Sequence, residues 1–112
     1  MKSIKEVEFE DVINQDKLSL VCFGANFCGK CKLAQKKIPD YEEVLKNQNI
    51  DCTIYKIDAD ECKNTFEKYS VEHMPIFILF KKGEELGRRS ALGTPDGILD
   101  FVKNFVKNDT KN

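Results

Sequence analysis

The chain has 112 residues, 41% hydrophobic and 33% charged, and its 18 basic against 19 acidic side chains leave a net charge of -1. That length suits one compact domain, expected to span residues 1–112, and excludes a multidomain machine. Eight Phe and three Tyr in clustered apolar stretches exclude a disordered chain, and the near-neutral balance offers no broad attraction to nucleic acid or an anionic membrane.

Along the chain, Ile4 to Val7 reads as a short first strand, and Phe9, Val12 and Ile13 recur at the spacing of a short helix. Leu18-Ser19-Leu20-Val21-Cys22-Phe23 is apolar on both parities, the pattern of a strand covered on both faces, and Gly24 ends it. From Gly29 to about Lys46, residues Leu33, Ala34, Ile38, Tyr41, Val44 and Leu45 form one apolar stripe, which predicts a long helix interrupted or kinked at Pro39. Ile50 to Ile57 resembles another strand, and Asp60 is expected to cap a helix running to about Tyr69.

Pro75 precedes the strand Ile76 to Lys81, a position where its missing N–H is tolerated, and Lys82-Gly83 predicts a tight turn into a last strand near Glu85 to Ser90. Thr94 as cap with Pro95 at the first helical position opens a final helix buried through Ile98, Leu99, Val102, Phe105 and Val106, and the tail from Asn108 to Asn112 is expected to fray. Alternation followed by a hairpin implies an α/β fold with a mixed sheet. The longest apolar run, Ile76 to Phe80, falls far short of the roughly 20 residues a bilayer span needs.

Five cysteines are an odd number for a disulfide framework, and Met1-Lys2-Ser3-Ile4-Lys5-Glu6 has no apolar signal core, so the cytosol is the expected compartment. There, a close cysteine pair is more often catalytic or metal-binding than structural. Phe27-Cys28-Gly29-Lys30-Cys31 puts two thiols three residues apart, directly after a buried strand and at the mouth of a helix. Unpaired N–H groups and partial positive charge at a helix start favour a thiolate at Cys28, and Cys31 lies one turn on, near enough to bond to it.

The strand, CxxC and helix start, Met74-Pro75 leading into Ile76 to Phe80, the Lys82-Gly83 turn and the last helix together resemble the thioredoxin family across nearly the whole chain. The resemblance implies a central sheet of four or five strands flanked by four helices, no bound cofactor, a monomer, disulfide-containing protein substrates and re-reduction by a thioredoxin reductase. It also implies that Cys28 attacks a substrate disulfide, that Cys31 resolves the mixed disulfide, and that a cis Pro75 presents the backbone of Met74 to the bound polypeptide. Phe27, Met74 and Ala91 then supply apolar contacts, while Gly29 and Lys30 lie between the thiols.

Departures from the family pattern carry their own expectations. Lys30 replaces a proline and adds a positive charge near Cys28, which predicts a more oxidising couple. Cys22 occupies the place of a buried aspartate six residues before the first cysteine, and Ile54 that of its companion lysine, so Cys31 must lose its proton to water or another group. Gly24 stands where a tryptophan is common, Ala91 where a groove glycine is usual, and Pro39 one turn late.

Lys30, Lys32, Lys36 and Lys37 either favour acidic partners or form a solvated face. A rival reading is a thioredoxin-fold binding module holding zinc or an iron–sulfur centre without redox turnover; its further ligands are limited to Cys22, Cys52, Cys62 and His73, isolated in sequence. An oxidase or isomerase is the variant within the enzyme class.

Overall fold

In the computed structural model residues 2–110 are described, the side chains of 107–110 excepted. The elements are β1 (Lys2–Ser3), α1 (Phe9–Ile13), β2 (Leu18–Gly24), α2 (Gly29–Lys36), α3 (Ile38–Asn47), β3 (Cys52–Asp58), α4 (Lys63–Lys68), β4 (Ile76–Lys81), β5 (Glu84–Arg89) and α5 (Gly97–Thr110). The strands form one mixed sheet in the order β1-β3-β2-β4-β5, parallel from β1 to β2 and antiparallel beyond. With the broken pair α2 and α3 counted as one, four helices flank it, as expected.

Strand β2 is buried along its whole length. Its alternation feeds two cores: Leu18, Leu20 and Cys22 meet Ile38, Tyr41 and Leu45 of α3 and Ile98, Phe101 and Val102 of α5. Val21 and Phe23 face the other way, toward Phe9 and Ile13 of α1 and Phe66 of α4. A strand clothed on both sides needs apolar residues on both parities, which is what its sequence supplies. The Lys82-Gly83 turn takes φ values of 52° and 80°, the two positive values that a two-residue hairpin loop of the twisted type requires.

Several boundaries differ from the sequence reading. The first strand is Lys2–Ser3 rather than Ile4 to Val7; Ile4 is buried and its N–H bonds to the Lys56 carbonyl at 3.0 Å, while Glu6–Glu8 close a 3₁₀ turn. The predicted long helix separates at Lys37 because Pro39 has no N–H to continue the ladder, and α3 restarts with that proline in its first turn. Helix α4 starts at Lys63 behind Cys62, not behind Asp60, whose own N–H is taken by the Asp58 carboxylate at 2.8 Å.

At the last helix, Thr94 to Asp96 form a lead-in turn, with Gly97 N–H donating to the Thr94 carbonyl at 2.8 Å, so the helix starts at Gly97. The tail expected to fray from Asn108 is helical to Thr110, and its last two residues lie outside the described ones. Among the described residues no helix is long and apolar enough to cross a membrane.

Candidate active site

Strand β2 runs out at Gly24, and the chain turns through Ala25, Asn26 and Phe27 before α2 begins. Cys28 is the N-cap of α2, with extended backbone at φ -94° and ψ 113°, and its Sγ accepts the Cys31 N–H at 3.2 Å. A second bond, from Cys28 N–H to the Ala25 carbonyl at 3.1 Å, fixes the turn. Cys28 is partly exposed, whereas Cys31 is buried, and both are free thiols.

These positions separate the two thiols chemically. Cys28 is held below the ordinary thiol value of 9.0, chiefly by a hydrogen bond from the Cys31 thiol, with help from the N–H groups of Cys31 and Lys30 and from the Lys30 charge, against a smaller desolvation effect. Cys31 is pushed up to about 11, first by burial and then by donating to Cys28, with the Asp58 carboxylate adding to the rise. Alkylation by iodoacetamide, followed by peptide mass spectrometry, should therefore show a Cys28 rate whose midpoint lies below pH 9.0 and a Cys31 rate that rises only near pH 11. Equal rates at the two thiols across that range count against the assignment.

Lys30, Pro75 and Ala91 meet in one cleft of about 240 Å³, together with Leu33 and Lys37. The Met74–Pro75 peptide is cis. Met74 lines a different groove, of about 460 Å³, beside Ala59, Phe66 and Val71, so the two sides of the proline open onto separate surfaces. Phe27, next to Cys28 in sequence, is 72% exposed and lines neither groove. Gly29 is exposed, and a Cβ there meets nothing within 4 Å, so no close approach demands glycine.

Residues 1–104 match the family model for thioredoxin. The chain belongs to the thioredoxin family. Thioredoxin-1 of Saccharomyces cerevisiae is 38% identical over 81 residues, covering 72% of this chain and 75% of its own length. The thioredoxin of Echinococcus granulosus is 37% identical over 87 residues, covering 75% and 78%. The crystal structure of thioredoxin from Trypanosoma brucei brucei superposes with a TM-score of 0.80 at 24% identity, over 94% of this chain and 89% of that one, a likeness of fold. The protein is a thiol-disulfide oxidoreductase, and its thioredoxin relatives support disulfide reduction over a module holding zinc or an iron–sulfur centre. Disulfide-containing substrates and a reductase are its general partners as a thioredoxin. Among the described residues no group of three or more His, Cys, Asp or Glu is placed to hold a metal ion.

Within this thioredoxin the departures take physical form. Cys22 is fully buried and its thiol is driven up to about 12, mainly by desolvation. The expectation that its charged companion is missing needs correction: Lys56 of β3 is the register partner of Cys22, two residues beyond Ile54 on the same face, and its charge opposes the rise. Cys52 and Cys62 are likewise raised by burial, Cys52 to about 12, which leaves them weak nucleophiles. His73 is exposed and lines neither groove beside Pro75.

The sequence reading assigns no role to Asp58. In the fold it is the register partner of Gly24, and its Oδ2 accepts the Asn26 N–H at 2.9 Å, so it ties the end of β3 to the turn that carries Cys28. The available signal is positional, since parallel strands gather functional groups at their carboxyl ends.

Proposed function

We propose that Cys28 is the attacking thiolate and Cys31 the resolving thiol of this protein disulfide reductase. Cys28 Sγ displaces one sulfur of a substrate disulfide, which leaves as a thiolate, and a mixed disulfide remains. Cys31 loses its proton and attacks Cys28 Sγ; the second substrate sulfur leaves with its electron pair, and a Cys28–Cys31 disulfide is the oxidised product. Two electrons from a thioredoxin reductase return the pair to dithiol. The observation that carries this reading is the capped thiol: Cys28 Sγ, partly exposed, receives the Cys31 N–H at 3.2 Å, while Cys31 is buried behind it.

Substrate is seated as an extended segment along the backbone of Met74, with Phe27, Pro75 and Ala91 as apolar contacts. Lys30 and Lys37 give the cleft beside Pro75 a basic edge. A cytosolic setting, a monomeric state and one domain over residues 1–112 belong to the same reading, the last of them supported by the family match over residues 1–104.

Cys31→Ser should trap the mixed disulfide, seen by mass spectrometry as a stable adduct with a model protein substrate that dithiothreitol releases. No adduct, or an adduct on another cysteine, overturns the assignment. Because Lys30 stabilises the reduced Cys28, a glutathione redox titration should place the couple above the roughly -270 mV of a typical thioredoxin. A value at or below that figure removes the role given to Lys30.

A further inference from the structure

The resolving step requires a proton to leave a buried thiol, and the residue at position 22 cannot take it, being itself a buried thiol that stays protonated far above neutral pH. Gly24 lies directly over Cys31. A Cβ built there sits 3.2 Å from both Cβ and Sγ of Cys31 and 3.6 Å from Gln35 Nε2, so the space a side chain at 24 normally fills is shared by the thiol and the Gln35 amide. Beyond Gln35 opens a polar cleft of about 210 Å³, lined by Asn26, Lys56, Asp58 and Glu61 among others. It is roomy enough for water, and its walls supply the several hydrogen-bonding groups that ordered water needs.

Asp58 lines that cleft, register-paired with Gly24 and fixed by accepting the N–H groups of Asn26 and Asp60 at 2.9 and 2.8 Å. Each carboxylate oxygen keeps a second acceptor site. Its charge reaches Cys31 strongly enough to register among the influences on that thiol. The other titratable or charged groups around the thiol and the cleft are Cys28 at the cap of α2, Cys22 on β2, Lys56 on β3 and Glu61 on the turn after it.

Resting on the disulfide reductase reading, we propose that the Cys31 proton leaves through this cleft, passing by water at Gln35 to the carboxylate of Asp58, which thereby serves as the proton acceptor for resolution. Cys31 Sγ then attacks Cys28 Sγ as a thiolate, the substrate thiolate departs, and Asp58 returns the proton to solvent or to the leaving sulfur. Asp58 acts through water and is a positioning residue rather than a group in contact with the reacting sulfurs.

The test is stopped-flow mixing of the reduced full-length protein with an equimolar aromatic disulfide, dithiobis-nitrobenzoate, which releases one coloured thiolate when Cys28 attacks and a second when Cys31 resolves. Asp58→Asn should leave the first phase unchanged and slow the second by about 100-fold at neutral pH, the low end of what a positioned base supplies. The deficit should shrink as pH rises and vanish by about pH 11, the value of Cys31 in the free dithiol and an upper limit here, because a Cys28 bonded to substrate no longer raises it. Formate, small enough for the cleft, should restore part of the second phase in Asp58→Asn and leave wild type unaltered.

Gln35→Leu should slow the second phase alone, and combining it with Asp58→Asn should add little, because both interrupt one route; it also carries the test should Asp58→Asn not fold. An unchanged second phase in both variants, equal slowing of both phases, or a deficit that persists at high pH overturns the proposal. If wild type itself shows no fast first phase, it is the reductase reading that fails.

Discussion

Cys28→Ser should reduce protein disulfides no faster than the electron donor does alone, while melting close to wild type. The hydroxyl stays protonated at any pH the protein survives, so the attacking anion is gone. The fold has little reason to change, because the position is a helix N-cap where Cys28 Sγ accepts the Cys31 N–H, and serine is among the side chains that perform this task best. The check is a model disulfide reduction assay beside a thermal melt. Substantial activity in the variant means that another thiol carries the chemistry; lost activity with a collapsed melt means that the experiment measured folding.

Phe23→Ala should show the reverse, a severe loss of stability from a residue outside the thiol chemistry. Phe23 is fully buried, and its ring packs at 5.1 Å from Phe66, 6.1 Å from Phe9 and 6.4 Å from Tyr69, edge to face in each case. It thereby joins β2 to α1 and α4 at once. Removing a buried phenylalanine costs about 3–5 kcal/mol, against about 5–15 kcal/mol for a whole domain. At roughly 4–8 °C per kcal/mol for a chain of this size, the melting temperature should fall by at least roughly 12 °C. Val7→Ala, 87% exposed, is the matching control and should stay within about 0.5 kcal/mol. A Phe23→Ala variant that melts like this control refutes the account of the second core.

Features with a local cause were legible in the sequence. The double-faced apolar run of β2, the Lys82-Gly83 turn, the interruption near Pro39 and the thiol pair at a helix mouth each depend on residues within a few positions of one another. The misplaced first strand has two residues, too few to show any period, and its existence depends on pairing with Tyr55 and Lys56. Asp60 resembles a cap, but residues 58–62 close a turn of their own, with Cys62 N–H on the Asp58 carbonyl at 2.9 Å, and the helix starts only at Lys63. The role argued for Asp58 was equally hidden, since Asn26 lies 32 residues away and Gly24 becomes its neighbour only once two strands align.

Strand β5 forms one border of the sheet and carries Glu84, Glu85, Arg88 and Arg89 in six residues, with Arg88 clasping Glu85 at 2.7 Å and reaching the Tyr69 carbonyl at 2.9 Å. The opposite border, β1, is only two residues long. An open sheet border is a template on which a foreign strand can pair and aggregation can start. Short, charged margins deny it that template.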